Sequence, residues 1–185
     1  MREISLHILD LIENAIRAGA TVIAVSVEEE PEKDTLCVTV EDNGPGLAVA
    51  ADIASDPFFT TKEGKKTGLG LSLMKFRTEQ SGGCFRLERS CLGGLAVRAA
   101  MPLSHVDRSP LGDLAATLAS VVCTSPGIEL RSRLRVGNRE WNVSTTDVMR
   151  GLPVGGRSEI AVAQRMKERI AEGRTASLSS RTIVR

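Results

Sequence analysis

Tyrosine is absent from this chain of 185 residues, tryptophan occurs once (Trp141), and aromatics together make up 3%. Surfaces that stack nucleic-acid bases need several exposed rings, so that mode of binding is excluded. An excess of one charge sign is lacking too. The 24 Lys and Arg stand against 23 Asp and Glu, a formal net charge of +1. Neither a phosphate backbone nor an anionic bilayer finds an electrostatic footprint there. No apolar run reaches the length of a membrane span, and no apolar leader follows Met1, so a cytoplasmic protein is expected. The four cysteines, Cys37, Cys84, Cys91 and Cys123, form no Cys-x-x-Cys pair. Zinc and dithiol chemistry lose support, and buried or half-buried free thiols are expected instead.

What is present is an ordinary globular composition, with 42% hydrophobic and 25% charged residues, enough for one domain with a core or a small domain with an appendage. Ile4, Ile8, Ile12 and Ile16 recur every fourth residue and mark an amphipathic helix that stops near Gly19. Alternation over 21–28 and 36–40 around a charged turn predicts an antiparallel hairpin. A loop over 56–68 leads into a helix from Leu69 to about Gln80, with Leu69, Leu73 and Phe76 on one side. Two further strands are expected at 85–89 and 95–101, around Leu92-Gly93-Gly94. Beyond residue 103 the pattern changes to a helix at about 111–122, strands at about 128–135 and 138–143, and a helix at about 157–172. The expected organisation is α+β: a two-layer α/β sandwich with a mixed, largely antiparallel sheet over 1–103, a small α+β appendage over 104–173, and a flexible tail over 174–185.

Four segments carry chemistry. On the first helix, Asp10 and Asn14 stand one turn apart on one face, with Arg17 a turn further. An amide oxygen suits Mg²⁺, and a neighbouring carboxylate suits a water to be activated. Asp42-Asn-Gly44-Pro-Gly46 follows a strand end, where a carboxylate can accept from an exocyclic amino group and glycines let the backbone turn tightly. Asp56-Pro-Phe-Phe-Thr60-Thr61-Lys62 offers a lysine for a phosphate. Finally, Gly64-Lys-Lys-Thr67-Gly68-Leu69-Gly70-Leu71 opens directly onto a helix, whose N-terminus favours anions. This last run is not a P-loop, because no Gly-Lys-Ser/Thr closes it.

In this order and spacing the segments, spanning about residues 3–102, resemble the histidine-kinase-like ATPase superfamily. That superfamily includes sensor histidine kinases, type II topoisomerase ATPase domains, the heat-shock chaperone ATPase and the mismatch-repair ATPase. Glu13-Asn-Ala-Ile-Arg-Ala-Gly-Ala-Thr21 is similar to the mismatch-repair version, and Asp56–Lys62 with Thr67–Leu71 to the histidine-kinase version. The resemblance implies a Bergerat-type fold with a lid over ATP. It implies Asn14 as the Mg²⁺ ligand, Arg17 and the adjoining Ala18 at the nucleotide, and Asp42 on the adenine amino group with Gly44 and Gly46 shaping its pocket. Thr61, Lys62, Thr67, Gly68, Leu69, Gly70 and Leu71 would surround the triphosphate, and Asp10 would be the catalytic carboxylate.

The chain departs from the pattern in three places. Hydrolysing branches carry Glu where this chain has Asp10. Kinase-type domains carry Gly-x-Gly-Thr where it has Leu92-Gly-Gly-Leu95. No phosphoacceptor domain is expected before the module, and neither His7, a pocket-edge or packing residue, nor His105, a loop residue, suits that role. His105–Asp113 resembles a group of stand-alone bacterial ATP-binding proteins encoded near hydrogenase or NADH-oxidoreductase subunits. The expected function is an ATPase or a kinase acting in trans, with a protein partner that includes redox enzymes or regulators among its candidates. The alternative is a non-catalytic, nucleotide-gated regulatory module. A homodimer is left open.

Overall fold

The computed structural model describes residues 3–46 and 69–178. In chain order the elements are α1 (Ile4–Arg17), β1 (Val22–Glu30), β2 (Thr35–Asp42), α2 (Leu69–Gln80), β3 (Cys84–Arg89), β4 (Leu95–Pro102), α3 (Leu114–Thr124), β5 (Glu129–Val136), β6 (Arg139–Ser144), α4 (Thr145–Gly151) and α5 (Glu159–Leu178). The six strands form one sheet in the order β3-β4-β2-β1-β5-β6. Among the described strands only β1 and β5 run parallel; every other neighbouring pair is antiparallel. The fold is mixed α+β, with helices packed on one face of a mixed sheet.

Strand alternation explains why one face takes the helices. Ile23, Val25 and Val27 of β1 lie in register with Leu130, Ser132 and Leu134 of β5, and Val25 and Val27 with Val40 and Val38 of β2. Against this face pack Ile4, Ile8 and Ile12 of α1, Met74 of α2, Leu118 of α3, and Met166 and Ile170 of α5, in one continuous core. Burying each of the three isoleucines contributes at most roughly 1.5–3 kcal/mol. The opposite face is polar, with Ser26, Glu28, Thr39, Arg98, Arg133 and Arg135 in adjacent registers.

Residues 104–173, read from the sequence as an appendage, contribute β5 and β6 to the same sheet and α3 and α5 to the same core. They also hold the start of α1. The Ile4 and Ser5 N–H groups, which a helix start leaves without internal partners, donate to the Pro110 and Leu111 carbonyls at 2.9 Å each. Arg174 of α5 donates to the carbonyl of Gly112 at 3.1 Å. So α5 runs past its expected end, into the stretch expected to be frayed, and Arg174 there ties the helix to this loop. The short α4 was not anticipated. It is nucleated by Ser144, whose hydroxyl accepts from the Asp147 N–H at 3.1 Å.

Two expectations need correction. Phe76 does not face inward with Leu73; it is 58% exposed. The buried side of α2 runs through Met74 and Thr78, one turn apart, and Phe76 lies between them on the far side. Of the cysteines, only Cys37 is buried; Cys84, Cys91 and Cys123 are exposed. Cys84 sits on an edge strand, Cys91 at a hairpin tip and Cys123 on the outer side of α3, where no layer covers them.

Candidate functional site

The isoleucine stripe fixes the rotation of α1, so Asp10 and Asn14 are left half-buried at the margin of the core. The start of α2 lies directly against this face. A Cβ at Gly70 would stand 3.1 Å from Asn14 Nδ2 and 3.5 Å from Asp10 Cβ. The glycine is what lets the helix carrying the glycine-rich segment approach so closely. Arg17 reaches back one turn: its Nη2 donates to Asn14 Oδ1 at 2.8 Å and its Nε to the Glu13 carbonyl at 3.0 Å. The amide oxygen expected to meet a metal therefore already faces a positive charge.

Helix α1 stops immediately after these residues. Gly19 adopts φ +91°, its N–H donates to the Ile16 carbonyl, and the Ala20 N–H donates to the Ala15 carbonyl. This is the paired C-terminal cap that glycine favours. It leaves Ala18 as the helix C-cap, at the site margin, and turns the chain into β1.

The second cluster is built at the end of β2. Asp42 is 8% exposed, and its Oδ1 accepts from the Gly44 N–H at 2.8 Å and the Leu95 N–H at 3.3 Å. Its Oδ2 accepts no hydrogen bond from a described residue. Gly94 closes the cluster from the β3–β4 hairpin: its N–H donates to the Asp42 carbonyl at 3.0 Å. A Cβ there would fall 2.1 Å from Asp42 Oδ1 and 2.6 Å from the Gly44 nitrogen. Gly46 has φ +76° and lies against the Gly94 carbonyl.

Sequence reasoning passed over two residues of this corner. Gly94 was read only as a turn glycine before Leu95, the place of a missing threonine, and in the structure it packs against Asp42. Asn43 was treated as a turn residue. Its Oδ1 accepts from the Thr21 and Val22 N–H groups at 2.8 and 2.9 Å, and its Nδ2 donates to Thr21 Oγ1. It thereby joins the end of β2 to the start of β1, just after the cap that ends α1. A side-chain acceptor beside a strand end was a usable signal for it.

The structure thus brings Asp10, Asn14, Arg17 and Gly70 together, and Asp42, Gly44 and Gly46 together. Leu71 is half-buried and packs on the core behind α2. Leu69 begins α2. Thr61, Lys62, Thr67 and Gly68 lie outside the described residues. His7 is fully buried on α1, and His105 is held in its loop by the Asp107 N–H at 3.1 Å from Nδ1. The exposed Cys91 thiol donates to the Glu41 carboxylate at 3.5 Å, and that carboxylate raises its pKa.

A family model described as histidine kinase-, DNA gyrase B- and HSP90-like ATPase matches residues 2–105, more than half of the chain. The chain belongs to this ATPase family. It is 33% identical over 100 residues to the sensor histidine kinase CpxA of Escherichia coli strain K12, covering 51% of this chain and 21% of that one. It is 37% identical over 96 residues to the sensor protein kinase PilS of Pseudomonas aeruginosa, covering 42% and 18%. Among solved structures it is similar to the histidine kinase domain of the E. coli osmosensor EnvZ, with 31% identity, a TM-score of 0.37, and 53% and 62% of the two chains covered. The chain spans about a fifth of the length of these curated relatives. It is an ATP-binding domain of the histidine-kinase-like ATPase type, and both clusters fall within the matched residues. No helix among the described residues is long and apolar enough to cross a membrane.

Proposed function

We propose that this domain binds ATP with Mg²⁺ between α1, the end of β2 and the start of α2, and delivers the γ-phosphate to water or to a group on a partner protein. The observation that carries the reading is the approach of Gly70 to both Asp10 and Asn14, which brings the start of α2 onto the face bearing the polar pair. Asp42, a buried carboxylate held through Oδ1 by the Gly44 and Leu95 N–H groups, would accept from the adenine amino group at Oδ2. Asn14 Oδ1 would hold Mg²⁺, which neutralises phosphate charge when bound. A cation at that oxygen would compete with the Arg17 guanidinium, which donates to it here. Arg17 is exposed and also held by the Glu13 carbonyl, and once displaced from Asn14 it would be able to turn toward a phosphate. Asp10, one turn from Asn14, would orient the attacking group and accept its proton.

Calorimetry with ATP in the presence and absence of Mg²⁺, alongside a phosphate-release assay, tests the reading. Asn14→Ala should abolish the Mg²⁺-dependent part of ATP affinity. Asp10→Asn should keep that affinity and lose turnover. Mg²⁺-dependent affinity that survives in Asn14→Ala would falsify the assignment.

A second reading is favoured by Asp10 itself, whose side chain is one methylene shorter than the glutamate of the hydrolysing branches. In that reading the domain is a nucleotide-gated regulator that binds ATP without turnover and changes its affinity for a partner protein, which requires a difference in binding between ATP and ADP states. A wild-type domain that binds ATP and releases no phosphate selects it.

A further inference from the structure

Strand β3 is the terminal strand of the sheet, with β4 as its only neighbour among the described residues. Its outer-face residues Cys84, Arg86 and Glu88 are exposed, and its inner-face residues Phe85 and Leu87 are half-buried. Arg86, Glu88 and Arg89 make no hydrogen bond or ion pair with any described residue. The charges at the other end of the sheet behave differently. Arg133 bonds to Glu28 and Glu140, and Arg135 to Glu28 and Glu30. An open edge offers a row of main-chain donors and acceptors to another strand.

The charge order on β3 selects which strand fits. In an antiparallel pair, same-face residues meet only in registers that differ by two along each strand. Consider β3 meeting β3 of a second copy about a two-fold axis. With the axis at Leu87, Arg86 lies opposite Glu88 of the other copy, twice, on the outer face. On the inner face Leu87 meets Leu87, and Phe85 lies opposite Arg89, whose aliphatic stem can cover the ring. With the axis at Arg86, two arginines meet; with the axis at Glu88, two glutamates meet. Only the Leu87 register places opposite charges across from one another at both positions. The net charge of +1 per chain adds little repulsion between copies.

We infer that β3 is a self-pairing edge and that two copies of this chain associate through it, extending the sheet from one protomer to the other. The partner is a second copy of this chain, and the interface is isologous. A six-residue strand buries little area, so the dimer sits at or below the ~1,200 Å² end of the interface range and depends on protein concentration.

The test is sedimentation across a range of protein concentration for the wild-type chain, Arg86→Glu, Glu88→Arg, and an equimolar mixture of the two variants. At concentrations low enough to keep all three monomeric they should show similar melting temperatures, because both positions are exposed. The wild type should self-associate. Each single variant sets like charges opposite one another and should associate at least ~10-fold more weakly. The mixture regains two Arg–Glu pairs per dimer and should recover association. A wild type that stays monomeric throughout overturns the inference, and so does a dimer that both variants leave intact. Variants that weaken association without recovery on mixing overturn the register.

Discussion

The sheet is built differently at its nucleotide corner and across β5 and β6. At the corner, main chain packs tightly on main chain and on the short side chains of Asp42 and Asn43. Gly94 lies between the Asp42 carboxylate and the Gly44 nitrogen with no room for a methyl group, and Asn43 joins the end of β2 to the start of β1. Across β5 and β6, side chains do the joining. Arg133 and Arg135 link Glu28, Glu30 and Glu140 over the outer face, and on the inner face Ser132 fills a core position with a hydroxyl that has no hydrogen-bond partner among the described residues. The corner therefore leaves no room for added atoms around the carboxylate it holds, whereas the extension, which widens the sheet and holds the start of α1, carries a buried hydroxyl with no partner among the described residues.

The largest effect should come from Gly94→Ala. The new Cβ meets Asp42 and Gly44 atoms that belong to or are fixed by the main chain, so relief requires the hairpin to move. Chemical denaturation should show a loss of about 3 kcal/mol, and calorimetry should show no ATP binding. A variant that binds ATP normally would show that the hairpin is free to shift, and the contrast with β5–β6 would disappear.

Gly112→Ala probes the join between the two regions. Gly112 has φ +77°, and a Cβ there would stand 2.2 Å from Glu3 Oε2 and 2.5 Å from Ser5 Oγ, at the first turn of α1. The Glu3 carboxylate can swing away, which makes this cheaper than Gly94→Ala. A loss of about 2 kcal/mol is expected from the backbone strain and the crowding together. ATP affinity should fall less than stability does, because the disturbed turn lies at the opposite end of α1 from Asn14. If affinity falls as far as in Gly94→Ala, the C-terminal residues set the geometry of the pocket as well as its support.

Ser132→Ala should have the opposite sign. Ser132 is 3% exposed in the core, in register with Val25 and Val143. Removing a buried hydroxyl without a partner should stabilise the domain by about 1 kcal/mol, read as a higher melting temperature, with ATP affinity unchanged. A destabilised Ser132→Ala would mean that the far half of the sheet is as fully specified as the corner.

The same division explains what was legible in the sequence. Ile4, Ile8 and Ile12 named the buried side of α1, and with it the side on which Asp10 and Asn14 stand. Alternation in 23–27 and 36–40 named the hairpin, and both clusters lie in the motif segments. Alternation names a face, however, and not a neighbour. Nothing local in 129–136 says that these residues lie parallel to β1, more than a hundred residues earlier, so residues beyond 103 read as an appendage. Gly94 and Asn43 were missed for the same reason: each acts on a segment that only the closed sheet brings near. Phe76 was misread because two leucines suggested a stripe on α2 that tertiary packing moved to Met74 and Thr78.

The smallest effect, and the most direct test of the side-chain network, is its pH dependence. The Arg133 guanidinium, with help from the Asn142 amide, lowers the Glu140 pKa from 4.5 to about 2. A carboxyl whose folded pKa is depressed contributes stability above its unfolded pKa and loses it as pH falls through the folded value. Glu140 is exposed, so salt screens the contribution. Relative to Glu140→Gln, which does not titrate, the wild type should melt at a higher temperature by a constant margin above pH 4.5. The margin should shrink as pH falls toward about 2 and narrow at high salt at neutral pH. A margin independent of both pH and salt would assign the Glu140 contact to packing, and the charges across β5 and β6 would then no longer distinguish that region from the corner.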